Sequence, residues 1–223
     1  MNTRTQGYLL LLFGGAVLRL GFSDLLLRYV KPASRPWIVL AGADLLVLAV
    51  AHLLQARRGR IQDDRGTGTA WLLIAPVVAI VVIAPPALGS FSANRAPAIA
   101  DTQVHREFPA LRDSSPHRLR MLDFTARVLW DAGRTVSAQD IQLTGFVLKQ
   151  RPDGFVLARL VISCCAADAR PVEVVVRSDR HPAADSWLTA TGRYDGTIRQ
   201  QRTFPVLHAE SIQPVKQPTN PYD

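Results

Sequence analysis

The chain has 223 residues, of which 48% are hydrophobic, and a formal net charge of +8 at pH 7. Residues 1–95 carry ten Lys or Arg and four Asp or Glu, which is a net +6 and leaves +2 for residues 96–223. Because the positive excess flanks apolar segments rather than a folded polar domain, the sequence argues against a nucleic-acid-binding protein and favours a membrane protein.

Three apolar segments, about 7–30, 37–54 and 69–88, are each long enough to cross a bilayer. They predict three transmembrane helices in an α-helical membrane domain over residues 1–90. A cleaved signal peptide is the competing interpretation of the first segment. Its apolar region is too long for one, and a second apolar segment follows directly.

Positive residues in the loops predict the orientation of the chain. The loop after the second segment contains four arginines, Arg57, Arg58, Arg60 and Arg65. Cytoplasmic loops of membrane proteins are enriched in Lys and Arg, so we expect this loop and the N-terminus to be cytoplasmic. After three spans, the rest of the chain would then lie outside the cytoplasm.

Two charged residues lie well inside the first two apolar segments. Counted from the loop between these segments, Arg19 lies about 16 Å deep and Asp44 about 10 Å deep by helix rise. Charges inside spans are costly and usually paired, which predicts an Arg19–Asp44 ion pair within the membrane. Such a pair would serve either as a proton or ion path or as a structural contact between two helices, and the small number of spans favours the structural contact.

The remainder of the chain predicts an extended linker over residues 91–118 and a β domain over 119–223. The β domain begins with an amphipathic helix at 119–130, and Arg151-Pro152-Asp153-Gly154 is typical of a hairpin turn. Five short strands are predicted in the domain: 141–149, 155–163, 172–177, 187–194 and 206–215. Five strands with the longest connection after the third predict a small Greek-key barrel of the oligonucleotide/oligosaccharide-binding (OB) type, and a sandwich is the alternative.

Both cysteines of the chain lie side by side, in the run Cys164-Cys165-Ala166-Ala167-Asp168 at the end of the second predicted strand. Side chains alternate along a strand, so both thiols can reach one metal ion only if the strand ends there. A bend would add the Asp168 carboxylate. A further ligand would have to come from a histidine, either His181 or one of His105, His117 and His208.

Three interpretations of the cysteines stay open at this stage. They are a soft-metal site, a vicinal disulfide and a pair of small core residues at a strand end. The sequence contains no Gly-x-Ser-x-Gly motif, no phosphate-binding glycine loop and no pair of carboxylates at catalytic spacing. We therefore expect that the protein is not an enzyme.

Several runs carry a resemblance to a known family: Gly145-Phe146-Val147, Phe155 to Arg159, the Cys164–Ala169 run, Trp187 with Gly192, and the membrane exit from Pro86 to Arg95. In these runs the chain resembles the YcgQ-like family of two-component permease subunits. It implies a protein of the bacterial cytoplasmic membrane, an accessory subunit whose partner is a large multi-span permease. It also implies a role in handling zinc or another metal, since such pairs can be under zinc-responsive control. The alternative function is an envelope scaffold whose β domain binds another protein.

Overall fold

A computed structural model of the protein describes residues 3–57, 87–98, 108–111, 115–198 and 204–223. The chain forms two compact units, Met1–Ala87 and Leu88–Asp223. Among the described residues there are four α-helices and six β-strands. The helices are α1 (Thr3–Phe22), α2 (Arg35–Arg57), α3 (Ser90–Ala93) and α4 (Met121–Trp130). The strands are β1 (His117–Arg118), β2 (Asp140–Arg151), β3 (Gly154–Val161), β4 (Arg170–Arg177), β5 (Trp187–Ile198) and β6 (Pro205–Pro214).

In the N-terminal unit, α1 and α2 pack against each other along a seam of glycines. Gly7, Gly14 and Gly21 recur every seven residues on α1, so they share one face of the helix. A Cβ atom added at these positions would lie 2.7, 2.9 and 2.8 Å from side-chain atoms of Leu53, Leu46 and Val39 on α2. Small residues let two backbones approach closely, which is how helices commonly associate in membranes.

The prediction of three transmembrane helices is wrong. One helix among the described residues, Pro32–Arg57 with its leading 3₁₀ turn, is long and apolar enough to cross a membrane, with a mean hydropathy of 2.2. The first predicted span, 7–30, is interrupted because α1 ends at Phe22, where Ser23 donates its hydroxyl to the Leu20 carbonyl oxygen at 3.0 Å. Its apolar part, Gln6–Phe22, is shorter. The third predicted span, 69–88, lies almost entirely outside the described residues.

In the C-terminal unit the strands form one mixed sheet in the order β1-β2-β3-β4-β6-β5. Most neighbours are antiparallel, but β1 pairs parallel with β2, and β4 pairs parallel with β6. The long strand β2 pairs with β3 through its second half and with β5 through its first half. The pairing partner of β2 therefore changes near Phe146, from β5 before this residue to β3 after it.

The predicted five-stranded OB-like barrel is corrected to this six-stranded mixed sheet. The five predicted strand segments lie within a few residues of β2 to β6, and the predicted turn at 151–154 joins β2 to β3. The sixth strand, β1, was missed because it is a two-residue pairing between His117 and Ile141 and between Arg118 and Gln142. So short a pairing is fixed by tertiary contact and leaves no alternating pattern in the sequence.

Strand β3 is buried on both of its faces. Packing on both faces holds the end of the strand in place. Phe155 and Leu157 join the main core, which also holds Phe124 of α4. Val156, Ala158 and Leu160 face a second apolar cluster that Ala93 of α3 and Tyr222 help to cover. The chain beyond β3 is anchored further by Ile162, which is only 3% exposed. The two cysteines follow two residues later.

Candidate metal site at the corner between β3 and β4

The corner between β3 and β4 is a tight turn that brings the Cys-Cys-Ala-Ala-Asp run back on itself. Ala166–Asp168 form a single 3₁₀ turn. The Asp168 amide donates to the Cys165 carbonyl oxygen at 3.1 Å, and the Ala169 amide donates to the Ala166 carbonyl oxygen at 3.3 Å. The strand thus ends before the cysteines, as a shared site requires.

The Asp168 carboxylate organises this corner. Its Oδ1 accepts the Ser163 amide at 2.8 Å, and its Oδ2 accepts the Cys164 amide at 2.9 Å. The Cys164 thiol also donates to Oδ2, at 3.1 Å. Local hydrogen bonds of Asp side chains to nearby backbone amides are a common way to fix a turn. Asp168 is therefore held beside the thiols by the same contacts that shape the turn.

The two thiols converge although they belong to adjacent residues. Cys164 is exposed, Cys165 is half-buried, and neither forms a disulfide. Their Sγ atoms lie 3.6 Å apart. A disulfide would need about 2.04 Å and is not present, so the vicinal-disulfide interpretation does not describe this state. The exposure of Cys164 also argues against two buried core residues.

The hydrogen bonds set the ionisation of this group. The hydrogen bond to Asp168, followed by the contact with Cys165, raises the pKa of the Cys164 thiol from 9.0 to about 11. The same thiol and the Ser163 and Cys164 amides lower the pKa of Asp168 from 3.8 to about 2. At neutral pH a carboxylate therefore holds a protonated thiol. Since the thiolate is the reactive nucleophile, Cys164 is not activated for covalent catalysis.

Cys164, Cys165 and Asp168 form a group that could hold a metal ion, with all ligand atoms within 4.8 Å of one another. Zinc binds thiolate sulfur at about 2.3 Å, so two sulfurs at tetrahedral angles lie about 3.8 Å apart. The observed 3.6 Å needs little adjustment. A linear two-sulfur site with bonds of about that length would need about 4.6 Å. The spacing therefore suits a tetrahedral ion with one position left open.

The histidines do not complete this group within the described part of the chain. His181 follows β4 at the opposite end from the corner, and its Nδ1 lies 3.3 Å from Gln150 Oε1. Seven residue steps along β4 at about 3.3 Å each separate the two ends by about 23 Å. His208 is at that same far end, paired in register with Arg177. His117 is 7% exposed and contacts Gln139, and His105 lies outside the described residues.

Arg19 and Asp44 are not brought together as an ion pair among the residues that the structure describes. Both side chains are at exposed positions on their helices, away from the glycine seam. Among the described residues of this unit, an ion pair joins Arg35 Nη1 to Asp24 Oδ1 at 3.8 Å. Arg35 sits at the start of α2, where the chain has just turned, so its partner depends on tertiary structure. Sequence position alone did not point to it.

Two further contacts of the C-terminal unit were also missed. Asp185 accepts the amide and the hydroxyl of Ser90 at 2.6 and 2.7 Å, which ties α3 to the loop before β5. Asp223 Oδ2 accepts the Leu122 amide at 2.6 Å and so caps α4 across 101 residues of sequence. The positive φ of Asp185, 63°, is compatible with Asp but carries no signal in the sequence.

The comparison with known families bears on this same unit. Residues 129–222 match the DUF1980 C-terminal domain. The match includes strands β2 to β6 and the cysteine corner, so this part of the chain is similar to that family. No curated protein and no solved structure gives a significant match. DUF1980 is an uncharacterised family, so the match identifies the domain and leaves its chemistry to the geometry of the corner.

Proposed function

We propose that this protein is a membrane-anchored accessory subunit of a multi-span permease and that its DUF1980 domain holds zinc or a similar cation. The observation that carries the proposal is the group of two thiols and one carboxylate within 4.8 Å at an accessible corner. Three protein ligands with an open fourth position are typical of sites that exchange their ligand. The apolar helix Pro32–Arg57 supports the membrane anchor.

Softness and charge of the ligands favour zinc over magnesium or calcium. Thiolates bind zinc and other soft ions, whereas magnesium and calcium take oxygen ligands almost exclusively. A bound cation would displace the proton of the Cys164 thiol, which now donates a hydrogen bond to Asp168 Oδ2. The carboxylate would then neutralise part of the charge of the ion. Asp168 therefore acts as an anchor for the apo corner and as a ligand in the loaded one.

The test is a calorimetric zinc titration of the full chain in detergent, reduced and under anaerobic conditions. We expect one ion per chain, loss of binding in Cys164→Ser and in Cys165→Ser, and weaker binding in Asp168→Asn. His181→Ala is the matched control, because His181 is at the far end of β4, and it should bind like the wild type. A folded wild-type protein that binds no zinc would refute the metal site.

The permease role is tested separately in cells. Deletion of the protein should change cellular zinc content, and the wild type but not Cys164→Ser should restore it. If the chain binds zinc in vitro but its deletion leaves zinc content unchanged, the permease role is wrong and the metal site stands.

We also propose that the DUF1980 domain lies outside the cytoplasm. With the arginine-rich loop after α2 in the cytoplasm, this requires one further crossing of the bilayer between that loop and the domain. Ala184 is at an exposed position in the loop before β5 and can report on this. In a Cys164→Ser/Cys165→Ser background, Ala184→Cys should react with a membrane-impermeant maleimide in intact cells. Labelling only after the membrane is permeabilised would place the domain in the cytoplasm.

A further inference from the structure

The N-terminal unit contains an open cleft of about 590 Å³ beside the connection between α1 and α2. Its walls are apolar apart from Arg35 and consist of Gly21, Phe22, Pro32, Pro36, Val39 and Leu40. Ligand pockets commonly have volumes of about 300–1,000 Å³, so the cleft is large enough for part of an organic ligand.

One end of the cleft is cationic. Arg35 Nε donates to the Gly21 carbonyl oxygen at 2.7 Å, which fixes the side chain at the cleft. Its ion pair with Asp24 is long, 3.8 Å, and the two side chains are 36% and 70% exposed. Such an exposed pair is weak, so the guanidinium is poorly neutralised. Lys31, exposed and directly before Pro32, adds a second positive charge.

The surface around the cleft is apolar and aromatic. Phe22 and Trp37 are each 72% exposed and Leu40 is 56% exposed. Only 11% of the apolar window of Pro32–Arg57 is buried within the protein. So large an exposed apolar surface suits contact with lipid chains rather than with water. Aromatic and cationic residues at the end of an apolar helix are typical of the membrane–water interface.

We propose that this cleft binds one anionic phospholipid, with its phosphate beside Arg35 and Lys31 and part of an acyl chain along Pro36, Val39 and Leu40. A cationic end joined to an apolar wall is complementary to a molecule with an anionic head and an apolar tail. Basic pockets at the ends of membrane helices recognise anionic head groups in this way. A water-soluble phosphate would match only the cationic end and leave the apolar wall exposed.

The experiment is native mass spectrometry of the full chain in detergent, titrated with phosphatidylglycerol or with phosphatidylcholine of the same acyl chains. We expect one tightly retained phosphatidylglycerol and weaker binding of phosphatidylcholine. Lys31→Ala should weaken phosphatidylglycerol binding about fivefold, the effect of one basic residue near a lipid phosphate. Arg57→Ala is the matched control, since Arg57 is an exposed cation at the other end of α2 and should have no such effect.

Leu40→Trp tests the apolar wall, because an indole at this exposed position would occupy the cleft without removing a charge. It should reduce retention of both lipids, whereas excess soluble glycerol phosphate should displace neither. Equal binding of the two lipids, or equal losses in Lys31→Ala and Arg57→Ala, would overturn the proposal in favour of diffuse charge attraction. Full displacement by glycerol phosphate would make the cleft a site for soluble phosphate.

Discussion

The hydrogen bond from Cys164 to Asp168 predicts an unusually unreactive exposed thiol. In a Cys165→Ser background only one thiol remains, and Asp168→Asn removes the charge that holds its proton. The rise in the pKa of Cys164 from 9.0 to about 11 lowers its thiolate fraction near neutral pH about 100-fold. Asp168 is the largest cause of that rise, and the contact with Cys165, the second cause, is already absent from this background. Asp168→Asn should therefore restore most of the thiolate that the parent variant still lacks.

The reaction rate of Asp168→Asn should rise less than its thiolate fraction, because a less basic thiolate is a weaker nucleophile. In disulfide exchange the logarithm of the rate changes by about 0.4–0.5 per unit of thiol pKa, which offsets about 6- to 10-fold of the gain. We therefore expect Asp168→Asn to react several-fold faster than its parent, up to about tenfold, with an aromatic disulfide reagent near neutral pH. The rate should also level off at a lower pH in the variant.

Stopped-flow absorbance across a series of pH values measures both quantities. Asp179→Asn in the same background is the matched control, because Asp179 is an exposed carboxylate beyond the far end of β4. Circular dichroism checks that each variant is folded. Equal rates for the parent and a folded Asp168→Asn variant would refute the argument, since the thiol would then not be held by the carboxylate.

Three other predictions address the structure around the sites. Gly14→Ala should destabilise the helix pair by about 1–3 kcal/mol, because the added methyl group would overpack against α2. Gly15→Ala should be neutral or stabilising, because a Cβ atom there would have nothing within 4 Å. Thermal unfolding in detergent compares the two variants, and equal effects would contradict the glycine seam. Asp185→Ala should lose about 1 kcal/mol in denaturant unfolding, because Ser90 loses its acceptor and Ala tolerates the positive φ poorly, while Asp185→Asn should lose less. The lowered pKa of Asp168 stabilises the folded state above pH 3.8, and this stabilisation is lost as the pH falls through about 2. In Asp168→Asn the free energy of unfolding should therefore depend less on pH between these two values. An unchanged pH dependence in this range would contradict the prediction.

The sequence by itself determined the local elements of the C-terminal unit. Alternating and apolar runs in the sequence located β2 to β6, because successive side chains of a strand point to opposite faces of the sheet. Pro152, Asp153 and Gly154 located the hairpin turn because each restricts or frees the backbone in a specific way. The short run from Cys164 to Asp168 also placed three candidate ligands within five residues, where a single turn could bring them together.

Only the tertiary structure decided what meets across long sequence distances. It paired β4 with β6, although β5 lies between them in the sequence. It also paired β2 with both β3 and β5. It placed His181 at the far end of the sheet from Cys164, and it turned Arg19 and Asp44 away from the helix seam. These outcomes depend on strand order and on helix rotation. Both are fixed by the packing of the whole core, and a local pattern in the sequence does not encode them.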